Sequence, residues 1–413
     1  MLRTLISMSS ILSGLALLLV GVGLLGTLLG IRAGIEGFSE SVTGVVMACY
    51  FGGYLIGTEA APALIGRIGH IRTFAALAAT ASAAALLHGL ALNPWAWAVL
   101  RVVTGACLVG LYMVIESWLS ALSDNRNRGR VFATYMTVSL LALAVGQLLL
   151  LVADVRSLVP FALVSVLVSL GLVPVALTRV HEPAPVETAQ LQLHFLYRTS
   201  PLGVAGVAAA GLVLGAFWGL SPLFAHNVGL STPAVALYMG ATILGGAFLQ
   251  WPIGHLSDHH DRRAILMIVC FTGAILAIAM AVGAHQSHAL LYASAFLFGG
   301  AAFTVYSLSV AHVQDHLESE EALLATRGLL LVYGLGAVAG PALSGALMDR
   351  LGVLSLPVYF CAVLTLLGAF TAMRMRIAAP PPMETRGDFA PMVRTSQAVL
   401  EMHPGTEPMP EGE

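Results

Sequence analysis

Residues 254–263 read Gly-His-Leu-Ser-Asp-His-His-Asp-Arg-Arg, placing two aspartates, two arginines and three histidines between two long apolar runs. Nothing else in the chain is so polar and so tightly bracketed. A fainter copy occupies residues 62–72, Pro-Ala-Leu-Ile-Gly-Arg-Ile-Gly-His-Ile-Arg, again between apolar runs, and Gly66 in it lies 192 residues before Asp258. One turn used twice points to a duplicated chain.

The runs on either side are about 20 residues long, enough to cross a hydrocarbon core about 30 Å thick as helices that satisfy their own backbone hydrogen bonds. Working outward gives candidate spans near residues 8–31, 42–65, 71–92, 95–119, 131–153, 157–178, 201–225, 233–256, 264–285, 288–312, 326–348 and 353–373. Composition agrees: 58% of the residues are hydrophobic and 10% charged, with mean hydropathy +0.88, where a soluble chain carries roughly 25% charged residues. The short alternating segments of a β-barrel are absent. Arg3 and the apolar stretch after it read as the start of the first span rather than as a cleaved leader. The expected fold is an all-α membrane protein of twelve transmembrane helices in two six-helix bundles. The N-terminal bundle is 1–178, a cytoplasmic linker 179–200, the C-terminal bundle 201–376 and a disordered cytoplasmic tail 377–413. A short amphipathic helix is expected at 190–198, and at most a turn or two of helix at 396–402.

Orientation follows from the arginines, the chain having no lysine. With the N-terminus inside, the inner loops and span ends hold Arg67, Arg72, Arg126, Arg128, Arg130, Arg179, Arg198, Arg262, Arg263, Arg374 and Arg376, against Arg32, Arg156 and Arg350 outside. The positive-inside rule then puts both termini in the cytoplasm. The net charge of −2 gives no sign of a nucleic-acid partner. Cys49, Cys107, Cys270 and Cys361 each fall within an apolar run and read as packing. The histidines of the charged turn lack the fixed geometry of a metal site, so neither metal nor cofactor is expected.

The two halves correspond beyond the turn. Gly53 matches Gly245 at 192 residues, while Gly105, Tyr112 and Gly146 match Gly299, Tyr306 and Gly340 at 194. Because each half has an even number of spans, the two are related by an axis along the membrane normal, with a central cavity between them.

These features resemble the major facilitator superfamily. Its loop between spans 2 and 3 reads Gly-x-Leu-Ala-Asp-Arg-x-Gly-Arg-Arg, echoed between spans 8 and 9. Here the second copy is the better one: Gly254, Leu256, Asp258, Arg262 and Arg263 fit, with Asp261 in place of Gly. In the first copy Leu64, Arg67 and Gly69 fit, but Gly66 replaces the acid. Within the superfamily the chain resembles the YcaD-like bacterial branch through Tyr-Phe-Gly-Gly-Tyr-Leu-Ile-Gly at 50–57, Glu116-Ser117, Arg-Asn-Arg-Gly-Arg at 126–130 and Phe-x-Pro-x-x-Arg-Thr-Ser at 389–396. The resemblance implies a secondary transporter of the bacterial inner membrane, acting as a monomer on a small molecule.

Physically, a carboxylate at the inner end of span 8 can accept amides from a neighbouring helix N-terminus and pair with a guanidinium. Asp258, Asp261, Arg262 and Arg263 therefore read as a conformational switch, with Arg67, Glu116, Arg126, Arg128 and Arg130 as its first-half counterpart. The competing reading is a solvated turn that only enforces topology. Glu59 lies within span 2, where a carboxyl can exchange protons as the cavity opens; alternatively it pairs with Arg67 or Arg72. Arg101 interrupts the apolar run of span 4 and matches the arginine of the superfamily's proton-coupled members, or else snorkels to the outer interface. Tyr50, Tyr54, Tyr112, Gln147, Trp218, Gln250, Trp251, Tyr306 and Tyr333 are candidates to line the cavity, with Trp251, the repeat mate of Glu59 and neighbour of Gln250, facing Glu59 across its floor and His312 a weaker candidate. The glycines and proline at Gly336, Gly340, Pro341 and Gly345 of span 11 read as close helix packing or a bend.

Proton-coupled export of a somewhat apolar compound is the preferred function. Uptake of a nutrient or metabolite, and a non-transporting membrane sensor acting through the tail, are the alternatives. No nucleophile, base and orienting group cluster as in an enzyme, and a chain without lysine carries no phosphate-binding Gly-x-x-x-x-Gly-Lys-Ser/Thr loop.

Overall fold

The computed structural model describes residues 2–123, 127–177, 193–317 and 319–377 together with Phe389 and Pro391. Side chains of residues 2–7, 319–324 and 326 lie outside the description. So do Arg126, most of the expected linker, and the tail apart from Phe389 and Pro391, including the expected turn of helix at 396–402.

The helices are α1 (Leu2–Ile35), α2 (Glu40–Ile68), α3 (His70–Leu90), α4 (Pro94–Ala121), α5 (Arg128–Leu148, continued by a 3-10 turn Leu149–Leu151), α6 (Val159–Leu177), α7 (Leu193–Thr199), α8 (Pro201–Asn227), α9 (Thr232–His259), α10 (Arg262–Gln286), α11 (His288–Gln314), α12 (Ser319–Leu351) and α13 (Ser355–Ile377). All but α7 are long and apolar enough to span a membrane, which makes twelve spans among the described residues. An even number of spans leaves the start of α1 and the end of α13 on one face, here the terminal face, opposite the far face. Local chemistry sets the boundaries. Ser39 and Asn93 accept backbone amides at the starts of α2 and α4, and Pro94 fills a position where a missing N–H is harmless. Gly69 ends α2 at φ 83°, a conformation that favours glycine. The expected amphipathic helix appears as α7, whose Leu196 is buried and packs where Gly328 of α12 has no side chain.

Two six-helix bundles result. In the first, α2 packs on α4, α1 on α5 and α6, and α3 on α4 and α6; the second repeats each pairing as α9 on α11, α8 on α12 and α13, and α10 on α11 and α13. Between bundles, α2 lies along α12 as α9 lies along α5.

Glycines allow this closeness. Gly53 of α2 faces the Val102 carbonyl of α4, and Gly105 of α4 faces that of Tyr50. In the second bundle Gly245 faces Phe296, and Gly299 faces Thr242. A Cβ at any of the four would overlap backbone, so the matching glycines seen in the sequence mark two equivalent helix crossings. Gly146 against α1 and Gly340 against α8 form a second such set. In α12, Gly336 and Gly340 face α8 while Pro341 and Gly345 face Gly44 of α2, so the small-residue pattern of that helix packs it on both bundles at once.

Candidate functional site

At the far face the bundles are joined. Ser41 donates to Asp349 at 2.7 Å, and Asn227 donates to Glu40 at 3.0 Å. Gly44 lies against Pro341 beside them.

Toward the terminal face α2 and α12 are bridged by Glu59, which pairs with Arg327. The pair closes one end of a cleft of about 300 Å³ lined by Tyr54, Thr58, Leu330 and Leu331. Glu59 is thus paired across the bundle interface rather than with Arg67 or Arg72, both of which are exposed. Its side chain is 60% accessible. Arg327 is missing from the sequence-based reading, both as a site residue and among the arginines that set the orientation, and its repeat position in the first half, Ala133, gives no matching signal. Gln250 turns to α11, where Ser307 donates to it at 3.5 Å. Trp251 is 68% exposed and stacks on His255, which in turn lies beside His259.

Arg101 is buried in α4. It is only 7% exposed, and its guanidinium sits 4.2 Å from the centre of the Tyr50 ring, a cation–π contact between α4 and α2 at their glycine crossing. Tyr54 is 6.4 Å from Tyr50. Glu116 is fully buried in α4 and accepts the Tyr135 hydroxyl of α5 at 2.5 Å; Arg128 and Arg130 do not pair with it.

The charged turn at 254–263 forms a network. Asp258 accepts from Arg262 at 3.0 Å, and Arg262 reaches across to Asp315 of α11 at 2.8 Å. The Arg262 and Asp315 side chains are 2% and 1% accessible. Asp261 caps α10 by accepting the Arg263 amide at 3.0 Å and pairs with the Arg263 guanidinium at 2.9 Å. Asp258 takes one further donor, the backbone amide of Phe389, at 3.0 Å. His312, buried in α11, packs edge-on to His316. No group of metal-ligating side chains occurs among the described residues.

The remaining candidates divide by role. Gln147 accepts from Thr27 at 2.6 Å and donates to the carbonyls of Gly23 and Leu143, which commits it to joining α5 to α1. Tyr306 and Tyr333 meet edge to face at 5.0 Å, and Trp218 packs on Phe217 and Phe303. Tyr112 is buried in α4 at the position equivalent to Tyr306 in α11.

The chain matches the family model of the Major Facilitator Superfamily over residues 11–326 and 203–400. It is 33% identical over 349 residues to the uncharacterized MFS-type transporter YcaD of Shigella flexneri, which covers 82% of this chain and 88% of that protein. The YcaD protein of Escherichia coli O139:H28 is related to the same degree. Among solved structures, a bacterial homolog of the human lysosomal transporter Spinster, inward-facing and occupied, superposes with TM-score 0.74 at 14% identity over 92% of this chain and 97% of that one. The nucleoside transporter NupG superposes with TM-score 0.70 at 16% identity over 92% and 100%. With twelve spans in two equivalent bundles, a paired cleft between them and the charged turn at 254–263, this multi-pass protein of the bacterial inner membrane belongs to the major facilitator superfamily of secondary transporters.

Proposed function

We propose that the protein exports a small, somewhat apolar molecule in exchange for protons, acting as a monomer by alternating access with its terminal face in the cytoplasm. The observation that carries this reading is the Glu59–Arg327 pair, the charged bridge between α2 of one bundle and α12 of the other. A proton taken up by Glu59 removes one charge of the bridge and frees the two helices to part, so proton binding and gate opening become one event. An exposed pair contributes only about 0–1 kcal/mol, which suits a contact that must break in every cycle. Arg101 on Tyr50 supplies a second fixed charge, buried at the helix crossing, through which the α2–α4 packing responds to the state of the cleft.

The units proposed are the bundles at 1–178 and 201–376, the linker at 179–200 and the tail at 377–413. The eleven arginines of the inner loops and span ends named above, joined by Arg327 at the terminal end of α12, against three on the other side support the cytoplasmic assignment. Tyr54, Tyr112, Trp218, Tyr306 and Tyr333 offer apolar area with hydrogen-bonding tips, which favours a compound of low charge. Asp258, Asp261, Arg262 and Arg263 act as the conformational switch.

The test is transport into everted membrane vesicles of a panel of apolar fluorescent compounds, with and without an imposed proton gradient. The unaltered protein should concentrate at least one compound when the vesicle interior is acid, and Glu59→Gln should abolish the dependence on the gradient. Full gradient-driven transport by Glu59→Gln sinks the assignment of Glu59 as proton carrier.

A further inference from the structure

The Phe389 segment lies far along the chain from the turn it touches, and the contact has two independent parts. The Phe389 backbone amide donates to Asp258 Oδ1, the oxygen that also accepts from Arg262. One helical turn earlier, Gly254 gives the Phe389 ring its seat: a Cβ at Gly254 would overlap the ring, and Phe389 packs against the buried core. Pro391 is half-buried just beyond. The stretch between Ile377 and Phe389 can reach up to about 40 Å, ample for α13, which packs on α10, to deliver the segment to the start of α10. A backbone amide aimed at an ionised carboxylate is a directional, charge-assisted bond. It is also the type of donor that a helix N-terminus of the opposite bundle would present to Asp258 when the terminal face closes.

We propose that the segment holding Phe389 and Pro391 is a built-in clamp on the C-terminal bundle: seated on Gly254 and Asp258, it withholds the switch carboxylate from the first bundle and leaves the Glu59–Arg327 pair to bridge the terminal face without that latch. This rests on Asp258 acting as a switch and is independent of whether Glu59 carries the proton. The ring and the amide use one oxygen and one bare stretch of helix, so tail and opposite bundle are competing ligands for the same place. Release of the segment frees Asp258 to join the Glu59–Arg327 pair in drawing the bundles together, and a factor that binds the tail would thereby set how tightly the terminal face closes.

The experiment uses full-length protein in lipid nanodiscs with the four native cysteines replaced. In its first arm, Pro391→Cys is labelled with a maleimide; labelling should be slow in the otherwise unaltered chain and about fivefold or more faster once Gly254→Leu fills the seat. In its second arm, spin labels at Thr134→Cys on α5 and Met373→Cys on α13 report the separation of the bundles at the terminal face. Phe389→Ala and Gly254→Leu should each shift the distance distribution toward shorter values, whereas Gly240→Leu, whose site is open space, should change neither reading. Equal labelling rates with and without Gly254→Leu overturn the seat, and unchanged distances in Phe389→Ala overturn the clamp. Phe389→Ala leaves α9 intact, so a folding defect in Gly254→Leu does not remove the test.

Discussion

The two copies of the turn between adjacent spans occupy equivalent places and are held by different forces. In the second, Arg262 is buried and bridges Asp258 and Asp315, so α9, α10 and α11 are tied by charge. At the equivalent place in the first stands His70, 192 residues earlier, buried and 6.0 Å from the Trp118 ring; Trp118 itself lies 194 residues before His312. There Gly69 makes the turn by its positive φ, and Arg67 and Arg72 point to solvent. Duplication preserved the backbone path, while the interior of one copy became aromatic and that of the other ionic. A buried ionic cluster costs desolvation that aromatic packing does not. An ionic cluster at the second copy suits the switch role proposed for it, which the aromatic packing of the first copy does not share.

The strongest way to break this comparison is to strip one charge from the ionic copy. Arg262→Ala leaves Asp315 buried without its cation and should cost about 3–5 kcal/mol, whereas His70→Ala should cost about 1 kcal/mol. Thermal unfolding of the purified proteins measures both, and equal losses would erase the distinction. Next in size is a test of equivalence. Gly53→Ala and Gly245→Ala each push a methyl group into the backbone of the crossing helix and should lower stability by similar amounts, about 1–3 kcal/mol. A large loss in one with none in the other would show that the two crossings are not the same structural device. The smallest effect is expected from restoring the missing acid. Gly66→Asp points into open space, with His70 where the second copy has Arg262, and should change stability by no more than about 0.5 kcal/mol. A clear stabilisation would mean that Arg67 or Arg72 can rebuild the ionic network, and that the first turn is a dormant switch.

Much of the architecture was legible because the bilayer imposes it. A helix must stay apolar for about 20 residues to cross, so the spans are written as runs, and their ends lie close to the helices described here. The expected span at 326–348 is the core of the longer α12, and the span at 8–31 lies within α1. The repeated glycines were legible for a related reason, since close crossings tolerate no side chain and leave the same residue type at the same offset. Candidate residues were harder to place. Gln147 was read as a cavity residue because a polar group in a span stands out, but a short sequence distance says nothing of Thr27, whose hydroxyl it accepts. Glu59 stands out in span 2 by its charge, but the sequence offers only Arg67 and Arg72 as nearby partners and gives no sign of Arg327.

The sequence by itself determined the number of spans, the duplication, the charged turn and the superfamily, because each is a property of residues near one another or at a constant offset. Only the tertiary structure decided who meets whom: Glu59 with Arg327 across 268 residues, Asp258 with Phe389 across 131, and Arg262 with Asp315 across 53. These pairings depend on how twelve similar helices turn and stack about one another. Rotating a single helix by one residue swings its buried face about 100° away from its neighbours, so the choice is made by packing against several neighbours at once.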